Sequence, residues 1–276
     1  MPHVFTNGIR LAFERHGRGE RVLLIMGSSA AGRVWTLHQT PALVAAGYQA
    51  ITFDNRGVPP SDVPPGRYAL DDMVADTAGL IESIGAAPCR IVGTSLGAVI
   101  AQELAIRRPD LVRCAVLMST KSRSDPARAA HGRASQVLAE SGITLPPAFR
   151  ASVTAFEMLS PATLDDPVAA AAWLETLEQS AAAAAGAPPD GQDWVDLSED
   201  RREALAGVRA PCRVIAFADD LVTPPFLGAE VADAIPDCDF IEIPAAGHFG
   251  YLERPAEVNS AIVEFLVKQD GEGNPR

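Results

Sequence analysis

Long apolar runs are missing from this chain: no stretch approaches the roughly 18 residues that a membrane-spanning helix needs. The opening residues, Met1 to Gly8, lack the basic-then-apolar pattern of a secretory signal. A cytoplasmic protein with no membrane partner is therefore the expectation. Positive charge is scarce as well. The chain has 23 Lys and Arg against 35 Asp and Glu, a formal net charge of -12. A nucleic-acid binder needs a basic patch to displace phosphate counterions, so nucleic acid is excluded as a partner. Cysteine is sparse too: Cys89, Cys114, Cys212 and Cys238 show no paired metal-ligand spacing. Each stands near the start of a predicted strand, so they read as buried thiols rather than zinc ligands or a disulfide framework. No metal and no cofactor is expected.

What is present is a regular alternation of strand and helix patterns. Residues 9–16, 21–26, 49–54, 89–92 and 112–119 read as strands, and 33–46, 70–84 and 98–106 as helices. The alternation stops at residue 121. From there to about 208 no strand is convincing, and helix-like runs are broken by Gly and Pro. Within them, 181–191 (Ala-rich, then Gly-Ala-Pro-Pro-Asp-Gly) reads as a connector. Strands return at 212–218 and 240–244, with helices at 225–234 and 255–268. The 276 residues, 47% of them hydrophobic, suffice for one α/β domain with an insertion. The expected organisation is a core built from 1–120 and 209–276, with 121–208 as a helical lid.

Gly93-Thr94-Ser95-Leu96-Gly97 lies between the strand at 89–92 and the amphipathic helix that follows. A strand that reverses into a helix within five residues forces its central Ser into a strained backbone and exposes the hydroxyl. The glycines are needed because a Cβ at either would collide with the neighbouring strand or helix. Such a turn also leaves the Leu96 amide free at a helix N-terminus, where a developing oxyanion can bind. A serine hydroxyl needs a general base that a third group holds in place. His248 follows the last predicted strand on a short loop and fits the base; His3, His16, His38 and His131 lack that placement. The acid should follow the strand at 212–218, where Asp219 and Asp220 both stand. The spacing Asp220-Leu221-Val222-Thr223-Pro224 selects Asp220, and Asp219 is expected to point into the loop or cap it. The order Ser95, Asp220, His248 separates this arrangement from the other triad orders.

Taken together, these segments resemble the α/β-hydrolases, and from end to end the chain is similar to their cofactor-free bacterial haloperoxidase or perhydrolase-like branch. The resemblance is carried by Leu24-Ile25-Met26-Gly27, Phe53-Asp54-Asn55-Arg56-Gly57, the Ser95 pentapeptide, Phe217 to Pro225, Ala246-Gly247-His248 and Glu253-Arg254-Pro255. It implies eight mostly parallel strands, a helical lid after the sixth, and no cofactor. It also implies that the oxyanion is bound by the backbone amides of Ser28 and Leu96. Met26 stands where the family usually has His, and Ser28-Ser29 where perhydrolases resemble Phe-Pro. Proline there would fix φ and remove a donor, so Ser29→Pro is expected to shift acyl transfer from water toward peroxide. A Ser at the elbow excludes the dehalogenases and epoxide hydrolases that use an Asp nucleophile.

The expected activity is hydrolysis of a neutral or apolar ester, lactone or related acyl compound through an acyl-enzyme on Ser95. Thioesterase, biosynthetic cyclase, perhydrolase and ligand-sensing readings use the same residues and stay open. Arg56 reads as a structural arginine bonding carbonyls of neighbouring loops. Trp35, Phe149, Phe156, Met158, Trp173 and Trp194 read as core rather than pocket. Between Arg150 and Arg201 there is no Lys or Arg, whereas ten Asp and Glu occur. A polyphosphate such as coenzyme A would be repelled by such a surface, which only Lys121, Arg123, Arg128 and Arg133 could oppose.

Overall fold

Val22 to Ile25 are apolar and wholly buried, which suits a strand with neighbours on both sides and helices over both faces. The computed structural model describes residues 1–184 and 191–272, and its strands form one sheet. In chain order they are β1 (His3–Thr6), β2 (Ile9–His16), β3 (Arg21–Ile25), β4 (Gln49–Phe53), β5 (Cys89–Thr94), β6 (Val112–Met118), β7 (Cys212–Phe217) and β8 (Cys238–Ile243). Their spatial order is β1-β2-β4-β3-β5-β6-β7-β8. The two pairings of β2 are antiparallel and all others are parallel. This is the eight-stranded, mostly parallel sheet that the motifs imply.

Successive strand residues feed opposite cores. Leu23 and Ile25 join one, under α2 (Leu70–Ser83) and α3 (Leu96–Arg107). Val22 and Leu24 join the other, against Leu43 of the short helix Gln39–Ala45 (α1) and Val258, Ile262 and Phe265 of the C-terminal helix Pro255–Glu272. Ten successive residues of α3, Leu96 to Ala105, are buried, so this helix is the spine of the first core.

The helix expected over 33–46 is divided into a 3-10 turn, Gly32–Leu37, and α1. Pro41 accounts for the break, since its ring excludes the carbonyl four residues back and it donates no amide. Strand β1 was hidden from sequence pattern because it is a four-residue, half-exposed edge. Cys89, Cys114 and Cys212 are buried and Cys238 is half-buried; all four thiols are free. Burial pushes Cys89, Cys114 and Cys238 up to about 12, so none is a ready nucleophile. Among the described residues no His, Cys, Asp and Glu group could hold a metal ion, and no helix is long and apolar enough to cross a membrane.

Between β6 and β7 the chain is helical: α4 (Pro126–Ser141), α5 (Pro147–Met158), α6 (Pro161–Leu164), α7 (Pro167–Ala183), a 3-10 turn (Gly191–Trp194) and α8 (Arg202–Leu205). Three of these start on one local device. Asp125, Ser160 and Asp166 each accept an amide of the first turn, and each is followed by proline. The expected connector at 181–191 overlaps α7 at one end and the 3-10 turn at the other; residues 185–190 lie outside those described. The lid is tied down by the buried Arg201, whose Nε donates to Glu103 of α3 at 2.8 Å and whose amide donates to the Ser122 carbonyl at 2.8 Å. After β7 come α9 (Pro225–Ala234), α10 (Gly250–Glu253) and the C-terminal helix, α11.

The site depends on how closely α3 approaches the sheet. A Cβ on Gly97 would overlap the carbonyls of Ile25 and Met26, and one on Gly93 would overlap the backbone of Gly97. These obstacles are backbone and cannot swing aside. Gly97→Ala is expected to destabilise the protein by about 3 kcal/mol, read as a lower urea midpoint. Gly132→Ala, in α4 with open space around it, should stabilise by up to about 1 kcal/mol. Similar midpoints for the two variants would show that the close approach is not what these glycines serve.

Candidate active site

Ser95 is the hinge between β5 and α3, at φ +53° and ψ -120°. Positive φ is uncommon outside glycine, and here the surroundings impose it. The Ser95 amide donates to the Met118 carbonyl of β6 at 3.0 Å, and its carbonyl accepts from Ala98 and Val99 at 3.0 and 3.2 Å. Its Oγ is partly open to solvent and faces the loops at the carboxyl edge of the sheet. Leu96 is the first residue of α3, so its amide has no acceptor within the helix.

His248 reaches Ser95 from the loop after β8. Ser95 Oγ donates to His248 Nε2 across 3.1 Å, and His248 Nδ1 donates to the Asp220 carboxylate at 2.8 and 3.0 Å. A carboxylate can only accept, which assigns the proton to Nδ1 and leaves Nε2 as the acceptor. Asp220 is buried and also accepts from the Val222 and Thr223 amides and the Thr223 hydroxyl, each at 2.8 Å. Burial would raise its pKa, but the His248 ring and these donors outweigh it and hold the carboxyl below the ordinary Asp value. Asp219 donates its amide to the Ala246 carbonyl at 2.9 Å, and its carboxylate makes no bond to His248; with Asp220 it lines a cavity of about 540 Å³. That cavity lies between the α5–α6 region and the start of α9, and neither Ser95 nor His248 lines it.

The histidine loop is braced by the lid. A Cβ on Gly247 would meet the Met158 carbonyl and Leu159 at 2.6 Å. Glu253 joins the two segments: one oxygen accepts the Gly247 amide at 2.7 Å, and the other accepts the Ser160 amide and hydroxyl at 2.9 and 2.7 Å. The Ser119 hydroxyl donates to the His248 carbonyl at 3.3 Å. On the other side of Ser95, the loop after β3 comes close: a Cβ on Gly27 would stand 3.2 Å from the Ser95 Cβ. Ser28 follows Gly27, and its side chain is exposed. Asn55 and Asp54, after β4, bond the Met26 carbonyl at 3.2 Å and the Gly32 amide at 2.8 Å, which ties the two loops together.

A profile of the alpha/beta hydrolase family matches residues 16–261. The chain belongs to the α/β-hydrolase family. It is 44% identical over 259 residues to BpoC of Mycobacterium tuberculosis, a candidate non-heme bromoperoxidase, covering 94% of this chain and 98% of that one. The crystal structure of BpoC superposes with a TM-score of 0.89 at 43% identity, over 94% and 96% of the two chains. A candidate carbamate hydrolase, RutD of Azorhizobium caulinodans, is 27% identical over 98% of this chain and 100% of its own length. A thermophilic esterase from Thermogutta terrifontis matches at TM-score 0.81 and 27% identity, over 97% and 98% of the chains. The family and these relatives support an enzyme.

Several expectations for this hydrolase change on its backbone. Arg56 is structural, yet its partner is a carboxylate rather than loop carbonyls: Nε and a terminal nitrogen pair with Asp76 at 2.5 and 2.7 Å. Trp35 is core, its ring tilted at 47° to that of Tyr251, whereas Phe149 and Phe156 are exposed on the lid and Trp173 stacks on Phe249, beside His248. Arg123 is paired with Glu230 and Arg128 with Asp125, so two of the four cations in the expected basic cluster are matched by carboxylates. Ser29 has φ +58°, and its amide donates to Gln192 Oε1 at 2.9 Å. Proline is held near -65° and has no N–H, so Ser29→Pro would break this loop, and the expectation that it tunes peroxide chemistry fails. Gln192 and Glu253 were not singled out from the sequence as site residues. Only the Glu-Arg-Pro run behind His248 could have pointed to Glu253.

Asp220→Asn is expected to lower turnover of a nitrophenyl ester by about 10³- to 10⁴-fold, while Asp219→Asn leaves it nearly unchanged; the reverse ranking would reassign the acid. A second readout follows from the lowered carboxyl. Stability gained from an ionised Asp220 is complete above the unfolded Asp value, about 3.9, and is lost as pH falls through the lower folded value. Wild type should therefore lose stability in acid more steeply than Asp220→Asn.

Proposed function

We propose that this protein is a serine hydrolase that cleaves neutral or apolar esters, lactones or related acyl compounds. The observation that carries the reading is the unbroken relay from Ser95 Oγ through His248 to buried Asp220. Ser95 Oγ attacks the acyl carbonyl as His248 Nε2 takes its proton, and Asp220 orients the ring and stabilises the imidazolium. The carbonyl oxygen becomes an oxyanion met by the Leu96 and Ser28 amides. Collapse expels the alcohol, which receives the proton from His248 and leaves the acyl group on Ser95. Water then repeats the sequence, releasing the acid and restoring Ser95. Each role is filled by a residue of this chain, and the mechanism calls on no cofactor.

The preference for a neutral or apolar acyl group rests on what surrounds His248. Trp173 and Phe249 stack with ring centroids 6.0 Å apart, and Phe249 lies 6.5 Å from the His248 ring. The stretch between Arg150 and Arg201 offers no cation for a phosphate or carboxylate. The likeness to BpoC favours a second reading, in which hydrogen peroxide replaces water at the acyl-enzyme and the product is a peracid. Water is the acceptor we assign, and the ratio of peracid to acid formed tests that choice.

A fluorophosphonate probe should label Ser95, and Ser95→Ala should lower nitrophenyl ester turnover by roughly 10³-fold or more. Peracid formed from acetate and peroxide, measured beside hydrolysis of an acetate ester, should be the minor activity. Labelling of another serine, or turnover that survives Ser95→Ala, would overturn the assignment; dominant peracid formation would select the second reading.

A further inference from the structure

We infer that Gln192, a lid side chain, is a positioning residue for the oxyanion loop: it clamps the loop after β3 to the loop after β4. The inference rests on the serine-hydrolase reading above. Gln192 is 3% exposed, and its carboxamide is engaged at both ends. Oε1 accepts the Ser29 amide at 2.9 Å, and Nε2 donates to the Arg56 carbonyl at 2.7 Å. One acceptor and one donor on adjacent atoms is what a carboxamide supplies; a carboxylate accepts only, and a thioether does neither with strength. Because the group is buried, losing either bond leaves a desolvated backbone partner unsatisfied.

Both ends of the clamp are fixed. The Arg56 guanidinium pairs with Asp76 and lies 5.5 Å from the centre of the Tyr68 ring, which holds the backbone that presents the carbonyl. Gly191, beside Gln192, accepts the Tyr68 amide at 3.0 Å, and any Cβ on Gly191 would run into that ring. The glutamine therefore projects from an anchored turn. At the other end, Ser29 is kept at φ +58°, a conformation that persists only where surroundings over-determine it. Gly27, two residues earlier, lies against Ser95, with Ser28 between them. Relaxation at Ser29 would therefore move the Ser28 amide relative to the reacting carbonyl. An oxyanion donor accelerates the reaction to the extent that it is in place before charge develops. The clamp should accordingly act on the transition state and leave substrate binding almost untouched.

The test compares Gln192→Met, which keeps the length and removes both bonds, with Gln192→Glu, which keeps the acceptor for Ser29. Ser95→Ala serves as the reference. Nitrophenyl acetate reports kcat and KM, and an aryl trifluoromethyl ketone, which forms an oxyanion on the serine, reports transition-state affinity. Gln192→Met is expected to lower kcat roughly 10- to 100-fold, with KM within about twofold. Inhibitor affinity should weaken by the same factor as kcat/KM, and Gln192→Glu should fall between wild type and Gln192→Met. A lower Tm with kcat and inhibitor affinity unchanged would reduce Gln192 to a structural contact and overturn the inference. If Gln192→Met does not fold, unchanged kcat and affinity in Gln192→Glu would do the same. Turnover abolished by Ser95→Ala but indifferent to Gln192 sinks the clamp alone, whereas turnover that survives Ser95→Ala sinks the hydrolase reading and the clamp with it.

Discussion

Everything at the site depends on one steric constraint, the contact of α3 with the carboxyl ends of β3 and β5. Gly97 touches the carbonyls that end β3, and Gly93 touches the backbone of Gly97. With the helix that near, the chain can pass from strand to helix only through a residue at positive φ. Ser95 occupies that position and is held there by the Met118 carbonyl of β6. The strain at Ser95 is thus stabilised by a buried part of the sheet, which a surface loop could not do. One contact places the hydroxyl above the sheet and leaves the Leu96 amide at the start of α3, so the two groups proposed as nucleophile and oxyanion donor have a common cause.

The lid, in turn, is fastened at places that bear on the site. Arg201 ties its far end to α3 through a buried pair with Glu103. Ser160 shares the Glu253 carboxylate with the histidine loop, and Gln192 joins the loops after β3 and β4. Each fastening links the insertion to a segment that flanks Ser95 or His248. Substitutions in the lid can therefore alter the alignment of reacting groups without touching substrate. In this fold the insertion completes the support of the loops beneath it.

The parts legible in the sequence are those with strong local causes. Buried strands announce themselves as apolar runs, the elbow through its glycines, and Asp220 through its spacing to Pro224. His248 was found because it follows the last strand. What escaped was either weakly patterned or set by distant contact. Strand β1 is short and half-exposed, so no period marks it. The break before α1 could have been read from Pro41. Gln192 gives no sign at all, because its meaning comes from Ser29 and Arg56, which lie 163 and 136 residues away. Ser29 shows the opposite failure: substitution logic treated it as a site for proline, and the backbone gives it an angle that proline cannot take.

Buried ion pairs stand at both edges of the sheet, Arg56 with Asp76 after β4 among them. At the amino edge, Arg90 pairs with Glu20 and Asp270, and Arg213 with Asp239, so buried cations there are matched by carboxylates in strongly fixed geometry. At the carboxyl edge the groups beside Ser95 include the His248 ring, backed by the buried Asp220 carboxylate, and the backbone of the flanking loops. An oxyanion forming there, as proposed, would meet backbone dipoles. Such dipoles need little reorganisation as charge develops, provided the loops that carry them are rigid. Around Ser95 the loops are stiffened by hydrogen bonds to one another. The bonds made by Asn55, Asp54, Gln192 and Glu253 thus converge on the loops around Ser95, and the buried Arg90 and Arg213 pairs lie at the far end of the strands.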